Sequence, residues 1–285
     1  MTVRELLTIR REVSPATRWA LAFLSWVVVV IVWTIVTHWE IVNRFSVPTP
    51  LEVIRAFPSL WSESDLLKNV ATSWWRIAQA FLWCVAIAIP LGLLMASFRW
   101  FYDLINPVAA PMRSMPLTAF LPAFIGLFGI GETMKIAFLW FGMFFYLLAV
   151  VVEEINRVDN SLLETAYTLG AKRRHVLWLM FRASFPGIFS SFRILYDIGW
   201  TYVILAEIVN RQNGVGAMVQ SAEQFHRPDL VYAGIIAIGF AAFLFRGLLT
   251  VLEKQLFPWR QLSASVSAAS VPSASAHLKA VKHGS

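Results

Sequence analysis

Two charged side chains stand where charge is expensive. Arg193 and Asp197 interrupt the otherwise apolar stretch 187–206, and a charge at the centre of a membrane span costs about 3 kcal/mol on insertion scales. Four apart on a helix, they share a face and could neutralise one another. Two roles are open for them. Either Arg193 presents positive potential to an anionic solute while Asp197 tempers it, or the two form a structural ion pair at an interface or near one end of a span. Glu132 and Glu207 border apolar runs and suit a gate or a surface on which a partner docks. None of the five His residues falls within a span, and no Cys or carboxylate cluster has metal-ligand spacing, so no metal or other cofactor is expected on this chain. The phosphate-cradling pattern G-x-x-x-x-G-K-S/T does not occur, so any nucleotide hydrolysis must be done by another chain. The chain is not expected to be an enzyme.

The elements that position these residues follow from hydropathy. Of 285 residues, 58% are hydrophobic and 14% charged, against about a quarter charged in soluble domains. Runs such as 19–37 and 77–98 reach the roughly 20 residues that cross a bilayer as a helix. The expected class is therefore an all-α integral membrane protein. Six spans are expected: 19–37, 77–98, a proline-broken stretch within 104–128, 136–152, 187–206 and 230–251. In the third, Pro107, Pro111, Pro116 and Pro122 each remove a backbone donor and can kink or break the helix. The alternative there is an interfacial helix at 104–114 followed by a short span. Cys84 is the single cysteine and lies in an apolar run, which leaves no disulfide framework.

Orientation follows from Lys and Arg. With the N-terminus inside, fifteen fall on the inner side and six on the outer, with Arg76, Arg193 and Arg246 left in or beside spans. This asymmetry places both termini in the cytoplasm, and it accounts for the net charge of +7 without nucleic acid as a partner. Residues 1–18 form a cytoplasmic N-terminus, 19–259 one transmembrane domain, and 260–285 a Ser- and Ala-rich tail expected to be a disordered cytoplasmic extension. Trp74, Trp75 and Arg76 have the composition of an interface anchor.

The longest cytoplasmic loop, 153–186, holds the sharpest local pattern. Ser161 with Glu164 three residues later has the form of a capping box that starts a helix, and Gly170 can end it in the left-handed conformation. The basic run 172–174 then opens a second short helix leading to Pro186. A short helix with Leu162, Leu163, Ala166 and Tyr167 on its surface suits a groove on a soluble partner; the alternative is a helix lying on lipid headgroups.

Glu164, Thr165, Ala166, Gly170 and Pro186 resemble the EAA coupling loop of ABC importer permeases. Val47 to Val53, Pro116 to Pro122, Phe128 to Glu132, Ala206-Glu207 and Gly214-Val215-Gly216 are similar to the branch of those permeases serving nitrate, sulfonate, taurine and bicarbonate. The blocks run from about 47 to 259, and their order makes the match specific. Thr165 stands where the family usually has Ala, Ala183 where it usually has Pro, and Asp197 where the branch generally has a small or apolar residue. The resemblance implies a homodimer in the bacterial inner membrane with an EAA loop gripped by separate ATPase subunits that carry ATP and Mg. It also implies a periplasmic or lipid-anchored binding protein that delivers a small anionic solute. The competing reading is a membrane channel or scaffold without energy coupling.

Overall fold

A computed structural model describes residues 14–43, 46–210 and 212–259, and every regular element among them is helical. The expectations for residues 1–13 and for the tail 260–285 lie outside the described residues. In chain order the helices are α1 (Pro15–His38), α2 (Pro50–Ser62), α3 (Leu66–Ser97), α4 (Arg99–Ser114), a 3-10 turn (Leu117–Phe120), α5 (Leu121–Phe128), α6 (Glu132–Asn156), α7 (Asn160–Thr168), α8 (Arg173–Val209), α9 (Val215–Gln224) and α10 (Pro228–Leu256). By packing, the chain divides into Met1–Leu67 with Met218–Ala237, and Lys68–Ala217 with Ile238–Ser285.

In the first unit α1 is apolar on every side and almost wholly unburied, the character of a helix whose solvent is lipid. Trp33 donates its Nε1–H to the Pro48 carbonyl at 3.0 Å and stacks on Tyr232 with ring centroids 6.1 Å apart. The Val47–Val53 block opens α2 with a full capping box: the Glu52 amide donates to Thr49 Oγ1 at 3.3 Å, and the Thr49 amide donates to Glu52 Oε2 at 2.7 Å. Both amides are otherwise orphans of the helix start.

The second unit is organised by α6 and α8, which form its principal helix pair. Along α6 the side chains of Leu139, Met143, Leu147, Val151 and Ile155 recur every fourth position, each no more than 1% exposed. That spacing keeps them on one helix face. The 3-10 turn and α5 pack beside the start of α6, on a neighbouring face, where Leu117 and Phe124 meet Met134, Phe138 and Ala206.

Among the described residues four helices are long and apolar enough to cross a membrane: α3, α6, α10 and residues 16–38 of α1. A fifth is counted if α4 and the segment Leu117–Phe128, bent by 103°, are taken as one broken span. The break in that third stretch lies at Met115-Pro116, because Pro107 and Pro111 are accommodated inside α4 and Pro122 occupies the first turn of α5, where its missing N–H costs nothing. The fifth expected span, 187–206, is part of α8, which is not among the helices apolar enough to count. Ser190, Ser191, Arg193 and Asp197 make it more polar than the other spanning helices.

The loop 153–186 differs from expectation in two places. Asp159, not Ser161, caps α7: its carboxylate accepts from the Ser161 amide at 2.9 Å, a bond that holds this exposed carboxyl below the usual range for aspartate. The segment after Gly170 is not a separate short helix. It is the first part of α8, which runs 37 residues without interruption through Pro186, about 55 Å at 1.5 Å per residue. Ser190 Oγ lies 2.9 Å from the Pro186 carbonyl oxygen.

Candidate functional site

The most highly organised polar site is buried at the end of the second unit where α6 begins and α8 ends. Arg76 projects from α3 and is 2% exposed. Its Nε and Nη2 grip both oxygens of Glu132, each at 2.6 Å, and its Nη1 donates to Glu207 Oε1 at 2.6 Å and to the Asn213 carbonyl at 2.9 Å. Glu207, itself fully buried, also accepts from Ser73 Oγ at 2.6 Å and from the Gly216 amide at 2.8 Å. Lys135, also fully buried, adds a second cation to Glu132 at 3.1 Å. Two cations meet two carboxylates, so the cluster is neutral as a whole, and both guanidinium and carboxylates are answered by directional donors.

Backbone geometry completes the cluster. Gly214 has φ +113°, and a β-carbon there would fall on the Glu207 carboxylate. Only glycine both adopts this conformation freely and leaves room for the acid. The Gly214 amide donates to Asn69 Oδ1 at 2.7 Å and the Val215 amide to Ser73 Oγ at 3.0 Å. The start of α9 is thereby fastened to α3. The network ties four chain segments together, and no proton donor or nucleophile is left poised toward a reactant. Among the described residues, no group of three His, Cys, Asp or Glu could hold a metal ion.

Of the residues singled out from the sequence, Glu132 and Glu207 are joined here through Arg76. Glu207 is buried, so it offers no surface for a docking partner, while the Glu132 side chain is 57% exposed. Sequence reasoning misses Arg76 and Lys135 as site residues and groups Arg76 with the interfacial tryptophans Trp74 and Trp75. A charge so near an apolar run was the available signal.

Arg193 and Asp197 do not pair with each other. Both sit on the face of α8 that meets α10, and each finds its partner there. Arg193 Nη2 lies 3.1 Å from Glu253, with Nη1 at 3.4 Å from Thr250 Oγ1, and Ser190 Oγ donates to Glu253 at 2.6 Å. One turn further, Arg246 Nη1 reaches Asp197 Oδ2 at 2.7 Å. Residues four apart share a face, but here each charge on α8 meets its opposite on α10, Arg193 an acid and Asp197 a cation. The side chains of Asp197 and Arg246 remain 37% and 57% exposed.

Glu164, Thr165 and Ala166 lie on α7, none of whose residues is buried. Leu162, Tyr167 and Leu169 are exposed there. Beyond the helix Gly170 has φ +78°. Its amide donates to the Tyr167 carbonyl at 2.9 Å and the Ala171 amide to the Ala166 carbonyl at 3.0 Å. Those are the two bonds of a Schellman ending. Pro186 stands apart from this ending, sixteen positions along the chain inside α8.

Residues 88–258 match the family described as binding-protein-dependent transport system inner membrane component. The chain is 31% identical over 238 residues to the taurine transport system permease protein TauC of Escherichia coli (strain K12), a match that covers 81% of this chain and 86% of that protein. It is 28% identical over 243 residues to SsuC of Bacillus subtilis (strain 168), a permease named for transport of aliphatic sulfonates, covering 85% and 88% of the two chains. Among solved structures, an inward-facing conformation of the MetNI methionine ABC transporter superposes with a TM-score of 0.60 at 16% identity, over 70% of this chain and 97% of that one. The helices described above therefore adopt that permease fold.

Proposed function

Because the chain belongs to the family of binding-protein-dependent transport system inner membrane components, we propose that it is the six-span permease subunit of an ATP-driven importer for a small solute bearing an oxyanion group. Sulfonate, taurine, nitrate and bicarbonate are the class. In this reading two copies enclose one pathway with both termini in the cytoplasm of a bacterial cell. ATP and Mg reside on separate ATPase subunits, and a periplasmic or lipid-anchored binding protein delivers the solute to the outer loops.

The observation that carries the proposal is α7. It is a short capped helix held between the two principal helices of its unit, and its Leu162, Tyr167 and Leu169 are uncovered. Apolar side chains on a helix of this length suit a groove on a soluble partner. ATP-driven closure of the ATPases would move the two α7 helices together and rock the long α8 helices that continue from them. In this reading Arg193 and Asp197, which meet Glu253 and Arg246 of α10, brace α8 against α10 as it moves.

Affinity purification of the tagged chain from its native membrane is expected to bring down a subunit with a phosphate-cradling loop, and vesicles containing the complex should accumulate solute only with ATP. Recovery of the chain alone, with ATP-independent flux, would instead identify a channel. Gly170→Val tests the coupling element. A β-carbon in the left-handed region costs about 1–2 kcal/mol, and a β-branched residue fits it worst, so the Schellman turn that sets the angle between α7 and α8 should be lost. The variant is expected to insert normally yet lose most transport and most ATPase stimulation. Wild-type transport by Gly170→Val would remove α7 from the coupling role.

A further inference from the structure

Helix α2 divides its surface three ways. With 3.6 residues to the turn, Val53, Ala56 and Leu60 share one sector, each no more than 3% exposed. Leu51, Ile54, Pro58 and Trp61 share a second, and there the side chains are open: Leu51 is 54%, Ile54 65% and Trp61 60% exposed. Glu52, Arg55 and Ser62, all exposed, make the third. A helix resting on a protein surface in water needs only the first and third sectors, so the apolar stripe of the second requires its own explanation. The depth of α2 follows from its tie to α1, which lies in the same unit. Trp33, whose Nε1–H donates to the Pro48 carbonyl, stands five residues before the end of α1 at His38, about 7.5 Å at 1.5 Å per residue. The chain therefore enters α2, two residues after Pro48, within the apolar length of α1 and not beyond it. Trp39, one residue past the end of α1, is exposed, as suits a tryptophan at a membrane interface. At 13 residues, α2 is itself too short to cross a bilayer.

We propose that α2 lies in the plane of the membrane interface, in the leaflet that holds the C-terminal end of α1, and binds phospholipid. Leu51, Ile54, Pro58 and Trp61 are seated among acyl chains, while Glu52, Arg55 and Ser62 stand in headgroup water. A helix with protein on one side, lipid on the second and water on the third has the sectors of an interfacial amphipathic helix. The occupant of the stripe is lipid because α2 begins at a depth inside the apolar length of α1, a helix itself almost wholly unburied. Arg55 follows Leu51 by one turn at the boundary between the apolar and polar sectors. From there its stem can lie on the stripe while its guanidinium reaches a lipid phosphate. The surface is one that energy coupling does not use, and its assignment requires only that α1 cross the membrane.

The test uses the full-length chain in nanodiscs of phosphatidylcholine, with Cys84→Ala as background and Leu51→Cys, Ile54→Cys, Arg55→Cys or Ser62→Cys added one at a time. Each cysteine is spin-labelled, and its collisions with oxygen, which concentrates in lipid, are compared with those of a nickel chelate confined to water. The logarithm of the oxygen-to-nickel ratio is expected to be positive at 51 and 54 and negative at 55 and 62, a change of sign within one turn. Negative values at all four would put the stripe in water and overturn the proposal, and positive values at all four would overturn the in-plane placement. Few collisions with either reagent at 51 and 54 would show protein over the stripe and overturn it equally; a disulfide between copies through Ile54→Cys would then identify that protein as a second copy. A second measurement needs no cysteine. Trp61→Phe keeps the stripe apolar and should remove tryptophan emission that is quenched by phosphatidylcholine brominated along its acyl chains; an unchanged lipid-quenched emission overturns the proposal even where the cysteine variants fold poorly. Neither measurement involves ATP, so failure here leaves ATP-dependent uptake standing, and success survives if the chain proves to be a channel.

Discussion

Arg76→Met is expected to destabilise the folded chain by about 3–5 kcal/mol, the cost of breaking a buried ion pair by removing one partner. It should appear as a sharp fall in monodisperse yield and in the thermal midpoint in detergent. The effect should be asymmetric across the cluster. Without Arg76, Glu132 keeps Lys135 at 3.1 Å and an exposed side chain, so it can remain ionised in contact with water. Glu207 keeps only Ser73 and the Gly216 amide and has no exposure at all. Adding Glu207→Gln to Arg76→Met should therefore recover much of the lost stability, and adding Glu132→Gln should recover little. Wild-type stability of Arg76→Met would return Arg76 to the role its neighbours Trp74 and Trp75 suggest, that of an interface anchor. Equal recovery by the two second substitutions would show that the loss lies in packing and not in a stranded carboxylate.

What the sequence made legible were features that repeat within one helix or close within one turn. The apolar runs locate α1, α3, α6 and α10 because the bilayer imposes a minimum length, and Gly170 marks the end of α7 because few other residues accept its backbone conformation. The cap of the same helix was less decided. Asp159 and Ser161 are both good capping residues two positions apart, and the extended backbone of Asp159, with φ −62° and ψ 128°, selects it. Proline is a poor guide to helix breaks here: Pro107, Pro111 and Pro186 all sit inside helices. Neighbouring helices and polar side chains can satisfy a carbonyl that proline frees. The Arg76 cluster was illegible for a different reason. Its bonds join residues 56 and 131 positions apart, and no periodicity encodes which acid a buried cation will meet.

The same limit governs Arg193 and Asp197, and it fixes the outcome of a double-substitution cycle. Asp197→Asn leaves Arg246 without its 2.7 Å partner, and Arg246→Met strands Asp197 in turn. Each single change should cost up to the 2.5–3.5 kcal/mol that insertion scales assign to a charge at the centre of a span, reduced where Arg246 can reach polar surroundings. The double change Asp197→Asn with Arg246→Met should recover most folded yield, because residues in contact couple non-additively. Arg193→Met with Asp197→Asn should behave in the opposite way. It removes Arg193 from Glu253 and Asp197 from Arg246, two separate contacts, so its two losses should add. Fluorescence-detected size-exclusion of these four variants and of Arg193→Met alone measures this directly, and uptake normalised to folded protein then separates a stability role from a pathway role. If the pair within α8 rescued itself while the pair between α8 and α10 did not, the interhelical ion pairs would be displaced by the arrangement that i and i+4 spacing suggests. If the Asp197 and Arg246 double variant folded fully but required more solute for half-maximal uptake, the exposed half of this ion pair would face the transported solute.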